Sequence, residues 1–454
     1  MDISDAPPLT TLLSPGGTPV RNLSTYDPSP SDGFIRFIAG LLRHSFVLAD
    51  SFHESARGTM RMLEKIVNEH VAAPGSSKLS KHVPSMGTVH TPLALEAAFD
   101  LYDNKYHITQ RTHVPPSEDE VRHILNLAQV FSSSGDLQFI SFDGDETLYA
   151  DGKNFAQSDA QKLARYIQKL LCSGIAVALV TAAGYKGAPE KYEVRLDGLL
   201  QAFHTDAVPD AALGRFFVVG GECNYLFEAC RVSAEVSAAD GRCAVRLREA
   251  EAGWNDAHAL WDEAEATRGL DLAEASLRHT AEALALRCRI IRKERAVGII
   301  AGGAEAKARV PEGSGSRRMR REVLDEAALR LQAAMANAKL AIPTCCFNGG
   351  ADVWCDLGNK AIGVAALQRR LGVRPAQCLH VGDQFSTSIG NDYAARLSSP
   401  TLCVLPPHPP LASPLHPSLA TRSSPLPCAS APHSRGLPQL GGGPQGDRIA
   451  FEGL

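Results

Sequence analysis

The segment LQFISFDGDETLYADG, residues 137–152, constrains the fold more than any other part of the chain. An apolar run from Leu137 to Phe142 ends in carboxylates and a glycine. Such a run reads as a buried strand whose carboxyl end opens into a loop. The next stretch is helical, with Ser158 and Gln161 set to cap it and Leu163, Ile167, Leu170 and Leu171 on one face. IAVALVT, residues 175–181, is then a second buried strand. Strand, helix and strand at this spacing form a βαβ unit, which predicts a parallel sheet with helices on its faces.

The same grammar extends in both directions. Residues 33–134 predict a mainly helical N-terminal block. It includes helical stretches at 33–71 and at TPLALEAAFDLYDNKYHI, a polar loop at 72–92, and a helix opened by a capping box, Ser117 with Glu120. RFFVVGGECNYLF and RCRIIRKERAVGII predict strands, and residues 244–285 a helix. EVLDEAALRLQAAMANA predicts a further helix. KAIGVAALQRRLG, CLHV and TLCVL return to the helix and strand pattern. The expected fold is therefore an α/β, doubly wound parallel sheet with an inserted α/β cap. The boundaries read as core first half 135–200, cap 201–343 and core second half 344–405. Residues 1–32 and the Pro/Ser/Gly-rich stretch 406–454 lack the composition to bury a core and are expected to be disordered.

Bulk properties exclude several functions. A formal net charge of -4 gives no broad basic field for nucleic acid. The most apolar early stretch, FIRFIAGLLRHSFVLAD, is interrupted by Arg36 and Arg43 and reads as a packed helix rather than a membrane span. The N-terminus lacks the basic and apolar regions of a secretory signal. The 11 cysteines form no CxxC pair and read as free thiols of a reducing compartment, which points to the cytoplasm.

In open α/β sheets, ligands sit outside the carboxyl ends of the strands. Four features fall there: Asp143-Gly144-Asp145 after the first strand, Thr181 after the second, Lys360 opening a helix, and Asp383 after CLHV with Asp392 further on. A carboxylate can attack phosphorus, and a second two residues later can protonate the leaving alcohol and then activate water. A hydroxyl and a lysine can hold phosphoryl oxygens. Clustered carboxylates call for a hard cation such as Mg²⁺.

This ordered set resembles the four motifs of the haloacid dehalogenase superfamily. FDGDETLYADG, EKYEVRLDGLL, FVVGGECNYLF, RKERAVGI, CFNGGADVWCDLGNKAIGV and GDQF with GNDYAAR resemble more narrowly the IMP-specific 5'-nucleotidases, as do VPSMGTVHTPL, YDNKYHI and VPPSEDEVRHILNLAQV. That resemblance covers roughly residues 33–396. It implies hydrolysis of inosine monophosphate, with Asp143 as nucleophile and Asp145 as acid/base. Mg²⁺ would be held by Asp143, Asp145 through its backbone carbonyl and Asp383, with Asp392 as a further ligand or as a partner behind the ligands. Asp143, Asp145, Asp151, Thr181, Arg195, Asp352, Asp356 and Lys360 would contact substrate, with Lys293 and Arg295 facing it from the cap. ATP would act as effector near His123 and Lys105, and the assembly would be a homotetramer. The segment from Asp383 to Asp392 holds one residue more than the family pattern, which puts the register of Asp392 in question. Another phosphate ester, such as a sugar phosphate, and a non-catalytic nucleotide-binding protein are the alternatives the residues leave open.

Overall fold

A computed structural model describes residues 33–150, 154–155, 160–251, 253–302, 319–386 and 389–404. The expectations for 1–32, Asp151, the Ser158 cap and 406–454 lie outside the described residues.

The strands in chain order are β1 (Phe139–Phe142), β2 (Ala176–Thr181), β3 (Phe216–Gly220), β4 (Tyr225–Arg231), β5 (Val245–Glu249), β6 (Cys288–Arg292), β7 (Ala296–Ala301), β8 (Thr344–Asn348), β9 (Asp352–Leu357), β10 (Cys378–Gly382) and β11 (Thr401–Cys403). Seven of them form one sheet in the order β11-β10-β1-β2-β3-β4-β5. Pairing is parallel from β11 through β3 and antiparallel from β3 to β5. β1, β2, β3 and β10 are buried along their whole length, which is why they read as continuous apolar runs. The chain proceeds from β1 outward through β2 and β3, then returns to add β10 and β11 on the opposite side. β1 and β10 therefore flank a topological switch point, where a crevice opens at the carboxyl ends.

Four strands form a second, antiparallel sheet in the order β6-β7-β9-β8. Helices Glu263–Ala283 and Arg321–Ala338 cover one of its faces. Leu270, Leu277, Leu324 and Leu331 pack there against Val297, Ile299, Val353 and Cys355. Alternation along β9 sends Val353, Cys355 and Leu357 to the helices and Asp352, Trp354 and Asp356 to the other face.

Two boundaries differ from the sequence expectation. β3, β4 and β5 belong to the large sheet although they lie in 201–343. β8 and β9 belong to the small sheet although they lie in 344–405. Chain order alone does not fix which sheet a strand joins, and only three residues separate Leu357 in β9 from the core helix at Lys360. Within 244–285, Val245–Glu249 is a strand rather than helix. Its Val245 and Leu247 alternate with arginines, and that period of two was masked by a charged, helix-like composition.

The N-terminal block is helical, with main helices at Gly33–Leu48, Phe52–Ala72, Leu95–Tyr106 and Glu118–Ser133. The long helical stretch breaks at Ser51, whose hydroxyl accepts from the Glu54 amide. The expected loop 72–92 contains a short helix, Lys78–His82, capped by Ser77. Both halves of the Ser117/Glu120 box form, at 3.2 and 2.9 Å. Ile38, Leu42, Met60, Leu63, Phe99 and Ile124 make a separate core, each contributing about 1.5–3 kcal/mol on full burial. Asn126 joins this block to the large sheet. Its amide donates to the Cys403 carbonyl at 2.7 Å and accepts from the Cys403 N–H at 3.2 Å, so it completes the edge of β11. Among the described residues, no helix is long and apolar enough to cross a membrane.

Candidate active site

The crevice between β1 and β10 gathers the charged residues that the sequence placed at strand ends. Asp143 follows β1 directly. Its N–H donates to the Val381 carbonyl at 2.8 Å, so the parallel ladder continues through Asp143 and fixes its direction. Lys360 opens the helix Lys360–Leu371 behind the Asn359 cap. A cation there opposes the helix dipole, and the carboxylates in front of it supply the reason for its presence. Its fully buried Nζ lies 2.8 Å from Asp143 Oδ1 and 2.5 Å from Asp392 Oδ1.

Asp392 is also fully buried, and its remaining contacts are specific. His380 Nε2 donates to its Oδ1 at 3.0 Å, and the Gln384 N–H donates to Oδ2 at 2.9 Å. Burial lowers the His380 imidazole, so the ring is neutral and accepts at Nδ1 from the Ser141 hydroxyl, 2.9 Å away. A Cβ on Gly382 would overlap the Asp392 carboxylate, so glycine is required where β10 ends. Asp392 does reach the cluster: one carboxylate oxygen from each of Asp143, Asp383 and Asp392 falls within 4.8 Å of the others.

The electrostatics follow from burial. Burial pushes Asp143 up to about 7, with Lys360 opposing and Asp392 adding. Burial, then Asp143 and Asp392, push Asp383 up to about 8. Burial alone would raise Asp392 too, but Lys360 and then His380 outweigh it and hold it below the usual carboxylate range. Asp383 Oδ1 is buried with no hydrogen-bond partner among the described residues. An all-oxygen cluster with one orphaned acceptor fits a hard divalent cation.

Asp145 does not join this cluster through its carboxylate. Arg195, at the end of helix Pro189–Arg195, donates to Asp145 Oδ1 at 2.8 Å. Thr181 ends β2 and is buried. Its hydroxyl accepts from the Ala183 N–H at 3.2 Å.

The small sheet supplies a second wall. Lys293, in the turn from β6 to β7, places Nζ 4.2 Å from the Trp354 ring centroid and 5.7 Å from that of Tyr185, within cation–π range. Gly298 is paired with Trp354, and a Cβ there would overlap the indole, so the ring lies flat on β7. Burial pushes Asp356 up to about 7, with Lys293 opposing. Lys186 bridges to Glu294 at 2.7 Å and ties the loop after β2 to the β6–β7 turn. Arg295 instead forms a two-point pair with Glu263, at 3.0 and 2.6 Å, and is engaged within the cap. Asn348 serves the turn from β8 to β9: it accepts from Gly350 N–H and donates to Asp325. Asp352 opens β9, and its carbonyl accepts from the Gly349 N–H at 2.9 Å.

His123 and Lys105 lie on the helical block, in helices Glu118–Ser133 and Leu95–Tyr106. The His123 ring stacks on Tyr102 at 6.0 Å, and Lys105 Nζ lies 5.2 Å from the Tyr106 ring, with the two tyrosines 4.5 Å apart. Sequence reasoning missed His380, Glu222 and Asn391. His380 was read only as part of an apolar strand. A histidine inside CLHV, immediately before GD, was the available signal, since a buried polar side chain requires a partner.

Comparison with known proteins adds independent information. Residues 29–412 match the family described as IMP-specific 5'-nucleotidase. IMP-specific 5'-nucleotidase 1 of Eremothecium gossypii is 39% identical over 409 residues, covering 83% of this chain and 92% of the relative. The Plasmodium falciparum relative of the same description is 35% identical, covering 82% of this chain and 80% of the relative. Among solved structures, an N-terminally truncated, IMP-bound Plasmodium falciparum IMP-nucleotidase superposes with a TM-score of 0.72 at 32% identity. It covers 85% of this chain and 96% of that one. An ATP-bound form of the Plasmodium falciparum IMP-nucleotidase gives 0.70 at 34% identity, with coverage of 82% and 81%.

Proposed function

The chain belongs to the IMP-specific 5'-nucleotidase family, and from that premise we propose that it hydrolyses inosine 5'-monophosphate to inosine and phosphate through an aspartyl-phosphate on Asp143. The observation that carries this reading is the meeting of Asp143, Asp383, Asp392 and Lys360 at the switch point of the sheet. Relatives named for IMP, one of them solved with IMP bound, supply the substrate.

In the first half-reaction a carboxylate oxygen of Asp143 forms a bond to phosphorus, and the bond from phosphorus to the ribose O5' breaks. Asp145 gives a proton to that oxygen, and inosine leaves. In the second, Asp145 takes a proton from water as the water oxygen attacks phosphorus, and Asp143 is released with inorganic phosphate. Lys360 and Thr181 hold phosphoryl oxygens, and Arg195 orients the Asp145 carboxylate. Asp143, Asp383 and Asp392, with the Asp145 carbonyl, would hold Mg²⁺, which when bound neutralises the carboxylates and polarises the phosphoryl group. Trp354, Lys293, Asp352 and Asp356 face the crevice from the small sheet and would contact the nucleoside, and Asp151 the ribose.

The test is a panel of phosphate esters with Mg²⁺. The expected order has kcat/KM for IMP well above that for AMP, GMP and a sugar phosphate. Equal rates across the panel would remove the substrate assignment and leave a general phosphatase.

Mg²⁺ affinity should depend on pH. Protons compete with the cation for Asp143 and Asp383, held near 7 and 8 respectively. These groups are protonated below that window and ionised above it, so affinity rises with pH and levels off above about 8. Titrating Mg²⁺ against activity at pH 6, 7 and 8 should show an apparent Kd falling about tenfold or more across the series. A flat series would contradict this ligand set.

The same reading makes ATP an effector bound on the helical block near His123 and Lys105, supported by the ATP complex of the Plasmodium falciparum protein. It also makes the protein a cytoplasmic homotetramer. The ten described cysteines are all free, which supports a reducing compartment.

A further inference from the structure

Glu222 lies in the turn joining β3 to β4, with its side chain fully buried beside the reaction centre. Its backbone has φ of 65°, a left-handed conformation that a residue with a side chain seldom adopts without support from its surroundings. Two contacts provide that support. The Glu222 N–H donates to the Thr181 carbonyl at 3.0 Å, and a Cβ on Gly363 would stand 2.9 Å from the Glu222 carbonyl oxygen.

Among the described residues the side chain has one hydrogen bond, from Asn391 Nδ2 to Glu222 Oε1 at 3.1 Å. The other oxygen of each group, Glu222 Oε2 and Asn391 Oδ1, is buried with no partner among the described residues. Two acceptors lie on one interacting pair with no donor between them. A single proton on Oε2 completes the pair, because a carboxylic acid and a primary amide can bond at two points: N–H to carbonyl oxygen one way, and O–H to carbonyl oxygen the other.

Charge balance points the same way. With a divalent cation bound and Asp143, Asp383 and Asp392 ionised, that cation and Lys360 would together match their three charges, and Lys360 is the cation that acts most on Glu222 among the described residues. Burial holds Glu222 well above the usual carboxylate range, with Lys360 opposing and Asp356, Asp143 and Asp392 adding.

We propose that Glu222 is a positioning residue that works as a neutral, protonated acid, locked in a two-point pair with the Asn391 amide, and that this pair sets the position of Asp392. Asn391 immediately precedes Asp392. The Glu222–Asn391 pair anchors it from the β3–β4 turn. The Asp392 N–H bonded to the Gln384 carbonyl at 3.1 Å, and the Asn348 N–H to the Ile389 carbonyl at 3.3 Å, anchor it from the other sides.

The neutral isostere distinguishes this from a role for charge. In Glu222→Gln the side-chain amide offers an N–H where the acid offers O–H. The expected kcat/KM for IMP and the Mg²⁺ affinity stay within about threefold of wild type, with the pH profile unchanged. Glu222→Leu removes both bonds and should lose about 10- to 100-fold in both. Infrared difference spectra between the full-length wild type and Glu222→Gln should show the carbonyl stretch of a protonated carboxylic acid, present only in wild type, at pH 8. A Glu222→Gln protein that falls 100-fold in activity, one that fails to fold, or a wild type without that band would each overturn the proposal. The kinetic arm rests on the phosphohydrolase reading, and the infrared arm needs no substrate. An inactive wild type that shows the band would count against that reading alone.

Discussion

Asp143→Asn is expected to reduce kcat for IMP by on the order of 10⁴ or more, the loss typical of removing a nucleophile from an otherwise intact site. The amide is nearly the same size as the carboxylate, so packing at the end of β1 is preserved. Asp143 sits in a site where burial already pushes it up to about 7, so losing its charge adds no unpaired charge to the interior. Lys360 keeps Asp392 as a partner at 2.5 Å. The melting temperature should therefore stay close to wild type, and IMP should still bind, as equilibrium dialysis would show. Substantial turnover by a folded Asp143→Asn protein would mean that phosphorus is attacked by another group.

Lys360→Met should have a large effect on stability as well as on activity. The Lys360 side chain is fully buried, and its Nζ touches both Asp143 and Asp392. Methionine can fill the space but leaves a buried cluster of carboxylates without its fixed cation. Removing one partner of a buried ion pair costs about 3–5 kcal/mol, which corresponds to a fall in Tm of roughly 5–15 °C. The deficit should shrink at lower pH, where Asp143 and Asp383 take up protons, and on adding Mg²⁺, which replaces part of the lost charge. IMP turnover should be lost under all these conditions, because the Lys360 ammonium contacts Asp143 at 2.8 Å and is the group proposed to hold a phosphoryl oxygen there. A Lys360→Met protein as stable as wild type at pH 8 without Mg²⁺ would contradict the electrostatic account of the site.

The parallel strands were legible because they are buried on both faces. Phe139–Phe142, Ala176–Thr181 and Cys378–Gly382 need no polar alternation, so the apolar run itself identifies them. The charged residues at their ends stood out against those runs, and the sheet brings Asp143, Lys360, Asp383 and Asp392 together. Contacts across long stretches of sequence were not legible. Glu222 pairs with Asn391, 169 residues away, and neither residue type nor local pattern announces that pair. The Asp145–Arg195 bond was equally hidden: each residue was singled out, but only folding shows that one holds the other. The assignment of strands to sheets failed for a similar reason. β9 runs almost directly into the helix of Lys360, yet it pairs with β7 and β8 in the small sheet. This continuity places Asp356 on one wall of the crevice and Lys360 on the other, only four residues apart.

The most direct measurement is to trap the intermediate formed from IMP labelled in its phosphate. The full chain is mixed with labelled IMP and Mg²⁺, quenched within one turnover, and digested. The account predicts label on the peptide containing Asp143, released by hydroxylamine as an acyl phosphate should be, and absent from Asp143→Asn. Rapid release of labelled phosphate with no labelled peptide, or with label on a different residue, would contradict it.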